Sequence, residues 1–194
     1  MVLAAGLSAR MGEKNKLLLG VGGAPMIRRT VENVLDFGPV EVVVVTGPRP
    51  MDIEASLTGL AVNFVHNRVH EQGHATSIAA GVSALTRPCD GVMIVLGDQP
   101  LITARHLRDL ETVFKTLAEG SILVPHHRGR RGHPVIIPAR LLPAIAGGGR
   151  GVARRLIDTR DEGVISVEMD SDVFTVDCDS PTAYRRLVRR IGGA

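Results

Sequence analysis

The residues able to do phosphate chemistry fall into well-separated groups. The first is the opening stretch, Met1-Val-Leu-Ala-Ala-Gly-Leu-Ser-Ala-Arg-Met-Gly-Glu-Lys-Asn-Lys16. A short apolar run, Val2 to Ala5, stops at Gly6, and a polar loop carrying Ser8, Arg10, Gly12, Lys14 and Lys16 follows. Small residues let backbone approach a ligand closely, and successive N–H groups in such a loop form an anion-binding concavity. Arg10 offers a planar fork suited to phosphate, and Lys16 a point charge. The chain has three lysines, Lys14, Lys16 and Lys115, and two of them lie here. The plain alternative is a strand-to-helix turn with solvated charges.

The second group is Gly97-Asp-Gln-Pro100, which ends the apolar run Gly91 to Leu96. A carboxylate at the end of a buried strand, facing a phosphate loop, suits Mg²⁺, which takes one or two carboxylates plus substrate phosphates. A turn-capping role for Asp98 competes equally. The third group is Asp177-Cys-Asp179-Ser-Pro181. Asp179 or Ser180 can cap the helix that Pro181 begins, but that leaves Asp177 unexplained. Two carboxylate sites from distant segments suit a metal held between nucleotide and acceptor. Asp170 and Asp172 read as a solvated turn.

Other constellations are weaker. His66, His70 and His74 have helical spacing, but Gly73 and the surrounding polarity favour a loop over a metal site. His126, His127 and His133 flank Arg128, Arg130 and Arg131. They read equally as a site for an anionic acceptor or as a solvated basic loop. Arg185, Arg186, Arg189 and Arg190 form a basic stripe with no assigned role. Gly6 to Gly12 does not have P-loop spacing, and Glu13 stands where a P-loop has Lys. Gly20-Val-Gly-Gly23 lacks the third glycine of a dinucleotide fingerprint and follows no clear strand, which argues against a nicotinamide enzyme.

These groups need a scaffold. At 194 residues, 44% hydrophobic and 22% charged, the chain suits one soluble domain with a sizeable core. No apolar run approaches a membrane span, and no signal peptide precedes the first strand, although a strand starting almost at residue 1 suits a trimmed or longer polypeptide. Cys89 and Cys178 are the only cysteines and show no metal spacing, which points to a reducing cytoplasm. Net charge is +3 and aromatics are 3%, compatible with small anionic substrates and against a nucleic-acid surface.

Helical spacing follows Pro25 through Leu35, with Pro25 in the first turn. Glu41 to Thr46 reads as a buried parallel strand. Met51–Leu57 suggests a helix, Ala61–Val65 a strand and Ala75–Leu85 a small-residue helix. Gly91–Leu96 is a strand, and Thr103–Leu117 a helix. Ser121–Val124 and Pro134–Ile137 suggest strands around a basic loop, His126 to Gly132. Gly147 to Gly151 reads as flexible and Val152–Asp158 as helical. Val164–Val167 and Val173–Val176 suggest strands, and Pro181–Ile191 a last helix. Alternating strands and helices predict an α/β fold: a Rossmann-like, doubly wound, mostly parallel sheet flanked by helices. Ligands bind at the carboxyl ends of such strands, where Gly6 to Lys16, Thr46-Gly47 and Gly97 to Pro100 all fall.

Together these motifs resemble those of nucleotidyltransferases that act on molybdenum cofactor. Leu3-Ala-Ala-Gly-Leu-Ser-Ala-Arg-Met-Gly12 with Lys16 is similar to the family signature. Gly97-Asp-Gln-Pro100, Gly132-His-Pro-Val135 and Asp177-Cys-Asp-Ser-Pro181 are similar to its later motifs, in the same order. Ala5, where the guanylyl branch usually has Gly, resembles the cytidylyl branch. The resemblance implies a fold of the nucleotide-diphospho-sugar transferase type over residues 1–194. The nucleotide part would span about residues 1–100 and the acceptor part the rest.

It also implies that Leu3, Ala4, Ala5, Gly6, Ser8, Arg10, Gly12 and Lys16 bind CTP, with Arg10, Lys16 and Asp98 catalytic. Thr46, Gly47, Asn67, Gly73 and Ser77 would lie near base, ribose or acceptor. Asp98, with Asp177 or Asp179, would hold Mg²⁺. His133 and Arg154 would face the acceptor, the terminal phosphate of molybdopterin, and a molybdoenzyme or chaperone would be the protein partner. Relatives commonly carry Gly-Asp-x-Gly-Ala-Arg where this chain has Gly149-Arg-Gly-Val-Ala-Arg154, a departure on the acceptor side. An acceptor phosphate is already anionic, so transfer needs alignment and charge neutralisation rather than a general base. The alternatives are guanylyl transfer, a sugar- or alditol-phosphate acceptor, and a non-catalytic nucleotide- or cofactor-binding domain.

Overall fold

The computed structural model describes residues 1–6, 15–117, 120–147 and 163–192. Its strands are β1 (Val2–Ala4), β2 (Gly20–Val21), β3 (Ala24–Pro25), β4 (Val43–Thr46), β5 (Asn63–His66), β6 (Gly91–Leu96), β7 (Ile122–His127), β8 (Arg130–Arg131), β9 (Val135–Pro138) and β10 (Val164–Glu168). The helices are α1 (Met26–Phe37), α2 (Pro50–Ser56), α3 (His74–Ser83), α4 (Ala104–Thr116), α5 (Leu142–Ala146) and α6 (Pro181–Gly192). The main sheet runs β5-β4-β1-β6-β9-β7-β10, with β8 paired to β7. Strands β5, β4, β1 and β6 are parallel. β9 is antiparallel to β6 and β7, and β10 is parallel to β7. The result is the mostly parallel sheet that the alternation of elements predicts.

The sheet is buried on both faces because its central strands are apolar at consecutive positions. Val2, Ala4, Val44 and Val95 pack on one side with Ile27, Val31, Leu107 and Leu110 of α1 and α4. Met1, Leu3, Val43, Val45 and Ile94 pack on the other with Ile78 and Val82 of α3. At about 25 cal/mol per Å² each buried aliphatic side chain contributes roughly 1.5–3 kcal/mol, so this two-sided core holds the strand ends in place. Among the described residues no helix is long and apolar enough to cross a membrane.

Several local expectations are corrected. Val173–Val176 is not a strand: Asp172–Thr175 forms a 3-10 turn whose Val173, Phe174 and Thr175 are all buried, with Ser171 Oγ accepting from Val173 N at 3.4 Å. A four-residue apolar run carries too little periodicity to separate a strand from a packed turn. The basic loop 126–132 is a hairpin. His126 and His127 end β7, and Arg130 and Arg131 return as β8. Arg128 (φ 50°) and Gly129 (φ 74°) form its two-residue connection. A hairpin of this kind needs positive φ at both central positions, and Arg-Gly is not its usual sequence signal. Pro25 ends β3 and precedes α1 rather than lying in its first turn. Gly20-Val-Gly-Gly23 belongs to the β2–β3 hairpin, whose turn glycines have φ 58° and 86°. The expected helix Val152–Asp158 and all of the glycine segment after Gly147 lie outside the described residues.

Candidate active site

β1, β4 and β6 lie side by side and parallel, so the segments that follow them emerge at one edge of the sheet. The edge is tightly made. Gly97 N donates to Leu3 O at 2.9 Å, and a Cβ at Gly47 would stand 2.7 Å from Ala5 O. Only glycine at position 47 admits that approach of the β4 exit to the β1 exit. The antiparallel β9 begins at the same edge, since Val135 pairs with Ile94 near the end of β6. His133 is therefore delivered there as well.

Lys16 is the hub. Its Nζ donates to Asp98 Oδ2 at 2.5 Å and to Asp179 Oδ1 at 2.6 Å. The Lys16 and Asp98 side chains are 15% and 7% exposed, whereas Asp179 is 46% exposed. Burial opposes the lysine charge, but Asp98 and Asp179 outweigh it and raise the Lys16 pKa above its ordinary value. The ammonium is thus firmly charged at neutral pH. Of the two carboxylates the sequence leaves open, Asp179 is the one that reaches it. The capping role falls to Ser180, whose Oγ accepts from Ala183 N at 3.1 Å.

This convergence has local causes. Lys16 opens a 3-10 turn that Asn15 caps by accepting from Leu17 N, just ahead of the β2–β3 hairpin. Asp179 stands just ahead of α6. That helix packs over the hairpin, its Leu187 sharing one apolar cluster with Val21 of β2, Met26 of α1 and Cys178, and Tyr184 Oη donates to Gly20 O at 2.7 Å. Asp177-Cys178-Asp179 alternates exposed, buried, half-buried: the cysteine anchors the segment in the apolar layer and turns its neighbours outward. Residues of an extended stretch point alternately to opposite sides. The Asp98 turn is tied to α1, where Thr30 Oγ1 lies 3.1 Å from Gly97 O and Asn33 Nδ2 donates to Pro100 O at 3.2 Å. Buried Gln99 reaches Phe174 O at 3.5 Å, and His133 N donates to the same carbonyl at 2.9 Å. One carbonyl thereby links the Asp98 turn, the His133 segment and the approach to Asp177. Neither the Thr30 tether nor the Gln99 link was assigned from sequence. The one available signal was that Gln99 is a polar side chain directly following the end of a buried strand.

Electrostatics mark the surroundings as one site. Asp177 has a raised pKa through burial and the nearby Asp179 and Asp98 carboxylates. Cys178 is pushed up to about 11 by burial and Asp98, so it is a neutral thiol. His133 is lowered to about 4 by burial, with Arg131 and His74 adding to the shift. It is a neutral imidazole at pH 7, able to donate or accept a hydrogen bond without adding charge. His74 thus bears on His133 electrostatically. The helical histidine spacing concealed this, because His66, His70 and His74 lie in three different elements.

The remaining candidate residues divide by location. Leu3, Ala4 and Ala5 are buried at the end of β1, and Gly6 is exposed. Thr46 Oγ1 donates to Val65 O at 3.3 Å. Asn67 Nδ2 donates to Thr76 Oγ1 and Ser77 Oγ at 2.9 and 3.0 Å, and its Oδ1 accepts from Val69 N at 3.0 Å. Asn67 and Ser77 therefore fasten the β5–α3 connection. Gly73 is exposed with φ 105°, just before α3. Ser8, Arg10, Gly12 and Arg154 lie outside the described residues.

Among the described residues no group of three or more His, Cys, Asp or Glu side chains could enclose a metal ion. Asp98 and Asp179 nevertheless converge on one cation, the Lys16 ammonium. Their hard oxygen donors fit a divalent ion that completes its shell with phosphates and water.

Residues 1–164 match the MobA-like NTP transferase domain family. The chain is 29% identical to the molybdenum cofactor cytidylyltransferase of Escherichia coli, over 95% of this chain and 92% of that one. It is 30% identical to the nicotine blue oxidoreductase of Paenarthrobacter nicotinovorans, over 75% of this chain and 73% of that one. In structure it resembles a nucleotidyl transferase from Methanothermobacter with a TM-score of 0.81 and 26% identity, covering 99% and 96% of the two chains.

Proposed function

The chain belongs to the MobA-like NTP transferase family, and we propose that it moves a CMP group from CTP to the terminal phosphate of molybdopterin cofactor, releasing pyrophosphate. The observation that carries the transfer chemistry is Lys16 held between Asp98 and Asp179 at the carboxyl edge of the parallel strands. CTP and molybdopterin are supported by the Leu-Ala-Ala-Gly signature with Ala5, and by the similarity to the Escherichia coli cytidylyltransferase over nearly the whole chain.

Lys16 is placed to neutralise phosphate charge and to fix the direction of approach. An acceptor phosphate is already anionic, so the two phosphorus centres need alignment more than a base. The backbone N–H groups that follow β1 would cradle the triphosphate, and neutral His133 would orient the acceptor by hydrogen bonding. Mg²⁺, held by Asp98 and Asp179, would supply further neutralisation of phosphate charge.

The test is pyrophosphate release with CTP, GTP and ATP, each with and without molybdopterin. Release with CTP that depends on molybdopterin supports the proposal. Turnover with GTP alone would reassign the branch, and tight nucleotide binding without turnover would make the chain a binding domain. Oxidoreductase turnover without pyrophosphate release would align it instead with the Paenarthrobacter relative.

A further inference from the structure

We propose that the basic stripe on α6 forms an acceptor subsite, in which Arg186 and Arg130 recognise a second anionic group of the phosphorylated acceptor. This rests on the transferase reading and names a part of the site that it leaves unassigned. A cavity of about 320 Å³ lies between α6, the β8 strand and the 172–177 segment. Arg130, Arg186, Arg190, Asp172 and Asp177 line it, and Leu187 gives it an apolar wall.

The charges in this cavity are unequally engaged. Arg190 is committed to Asp172 through two contacts of 2.9 and 2.7 Å. Arg130 uses one donor on Thr175 O at 3.3 Å. Arg186 makes no hydrogen bond or ion pair among the described residues, although its guanidinium carries five donors. An unengaged guanidinium on a cavity wall is a ready partner for phosphate, carboxylate or another oxyanion.

Position ties the cavity to the transfer site. Asp177 lines the cavity and stands two residues from Asp179, which bonds Lys16. A ligand whose phosphate sits at Lys16 can therefore pass Asp177 and end at the arginines. Asp177 selects a hydrogen-bond donor in the middle of that ligand, and Arg186 an anion at its far end. The class of acceptor is a phosphomonoester that bears a second anionic group and a donor between the two.

Arg186 is exposed on α6, so its substitution leaves the fold intact. Steady-state pyrophosphate release is measured for wild type, Arg186→Ala and Arg186→Lys with CTP and molybdopterin. We expect the acceptor KM of Arg186→Ala to rise about tenfold or more, with the CTP KM and kcat unchanged and partial recovery in Arg186→Lys. An acceptor KM within about twofold of wild type overturns the subsite. If wild type releases no pyrophosphate, the transferase reading fails on its own, and the subsite is judged by calorimetry with inorganic pyrophosphate. Weakening of that binding by about tenfold in Arg186→Ala then sustains the subsite, and unchanged affinity overturns it.

Discussion

Lys16 Nζ and Asp98 Oδ2 lie 2.5 Å apart although 82 residues separate them in the chain. Asp179, 163 residues from Lys16, completes the arrangement from the other side. The lysine thus stands where a cation shared by two carboxylates would stand. A triphosphate that drew the ammonium toward itself would leave Asp98 and Asp179 facing each other, ready for a divalent ion.

Lys16→Met removes the resident cation. Without nucleotide, Mn²⁺ should bind this variant about tenfold or more tightly than wild type, because two carboxylates no longer have a competing charge. Electron paramagnetic resonance of free Mn²⁺ reads this directly, and equal affinities would show that Lys16 does not compete. Because the Lys16 pKa is raised in the fold, its stabilisation is complete below its unfolded value of about 10.4 and is lost as pH rises through the higher folded value. The stability difference between wild type and variant should accordingly be flat at neutral pH and shrink in alkali.

Asp98→Asn preserves shape and removes one charge. Transfer should fall by about 100-fold or more, with the far-UV circular dichroism unchanged. The loss of stability should be about 2 kcal/mol, below the ~3–5 kcal/mol typical of a broken buried pair, because Asp179 still engages Lys16. Wild-type turnover in the Asp98→Asn protein would remove this carboxylate from the transfer machinery.

Gly47→Ala places a methyl 2.7 Å from Ala5 O and 2.8 Å from Ala5 Cα. Backbone on both sides must shift, so we expect a stability loss of about 1–3 kcal/mol together with weaker nucleotide binding. Urea unfolding and nucleotide titration measure the two effects. Unchanged nucleotide affinity would separate the β4 exit from the binding site.

His133 has its pKa lowered to about 4, against about 6.5 in the unfolded chain. The unfolded state then binds more protons between those values, so stability rises with pH across that window and falls on acidification. The span corresponds to about 3 kcal/mol at most. His133→Asn should flatten the slope of the urea midpoint between about pH 4 and 6.5. An unchanged slope would assign it to other groups.

Asp177→Asn relieves a carboxyl whose pKa is raised by partial desolvation and by Asp179 and Asp98. Since Asp177 is exposed, screening limits the gain to about 0.5 kcal/mol near neutral pH. The gain should vanish as pH falls and the wild-type carboxyl takes up its proton. Thermal unfolding at pH 7 and pH 4 tests both halves.

The alternation of apolar runs with amphipathic stretches makes the parallel sheet legible in the sequence. Burial on both faces demands runs such as Val42 to Val45, and an exposed or one-sided sheet would leave them in water. The chemistry-bearing residues were legible for the same reason: a polar motif directly after a buried strand must emerge at its carboxyl end. Short segments were not legible. Phe174 packs as part of a turn, and Arg128-Gly129 closes a hairpin, because four residues or fewer carry almost no periodicity.

Residue types and their order were enough to identify what could handle phosphate, Lys16, Asp98 and an acidic pair at 177 and 179, and which kind of sheet would carry them. Packing in three dimensions then selected Asp179 rather than Asp177 as the partner of Lys16, turned Asp177 to a cavity edged by Arg186, and brought His74 within electrostatic reach of His133. Those choices depend on how α6 docks against the β2–β3 hairpin and where β9 enters the sheet. Both are contacts between segments more than a hundred residues apart or in opposite directions, and local pattern carries no record of them.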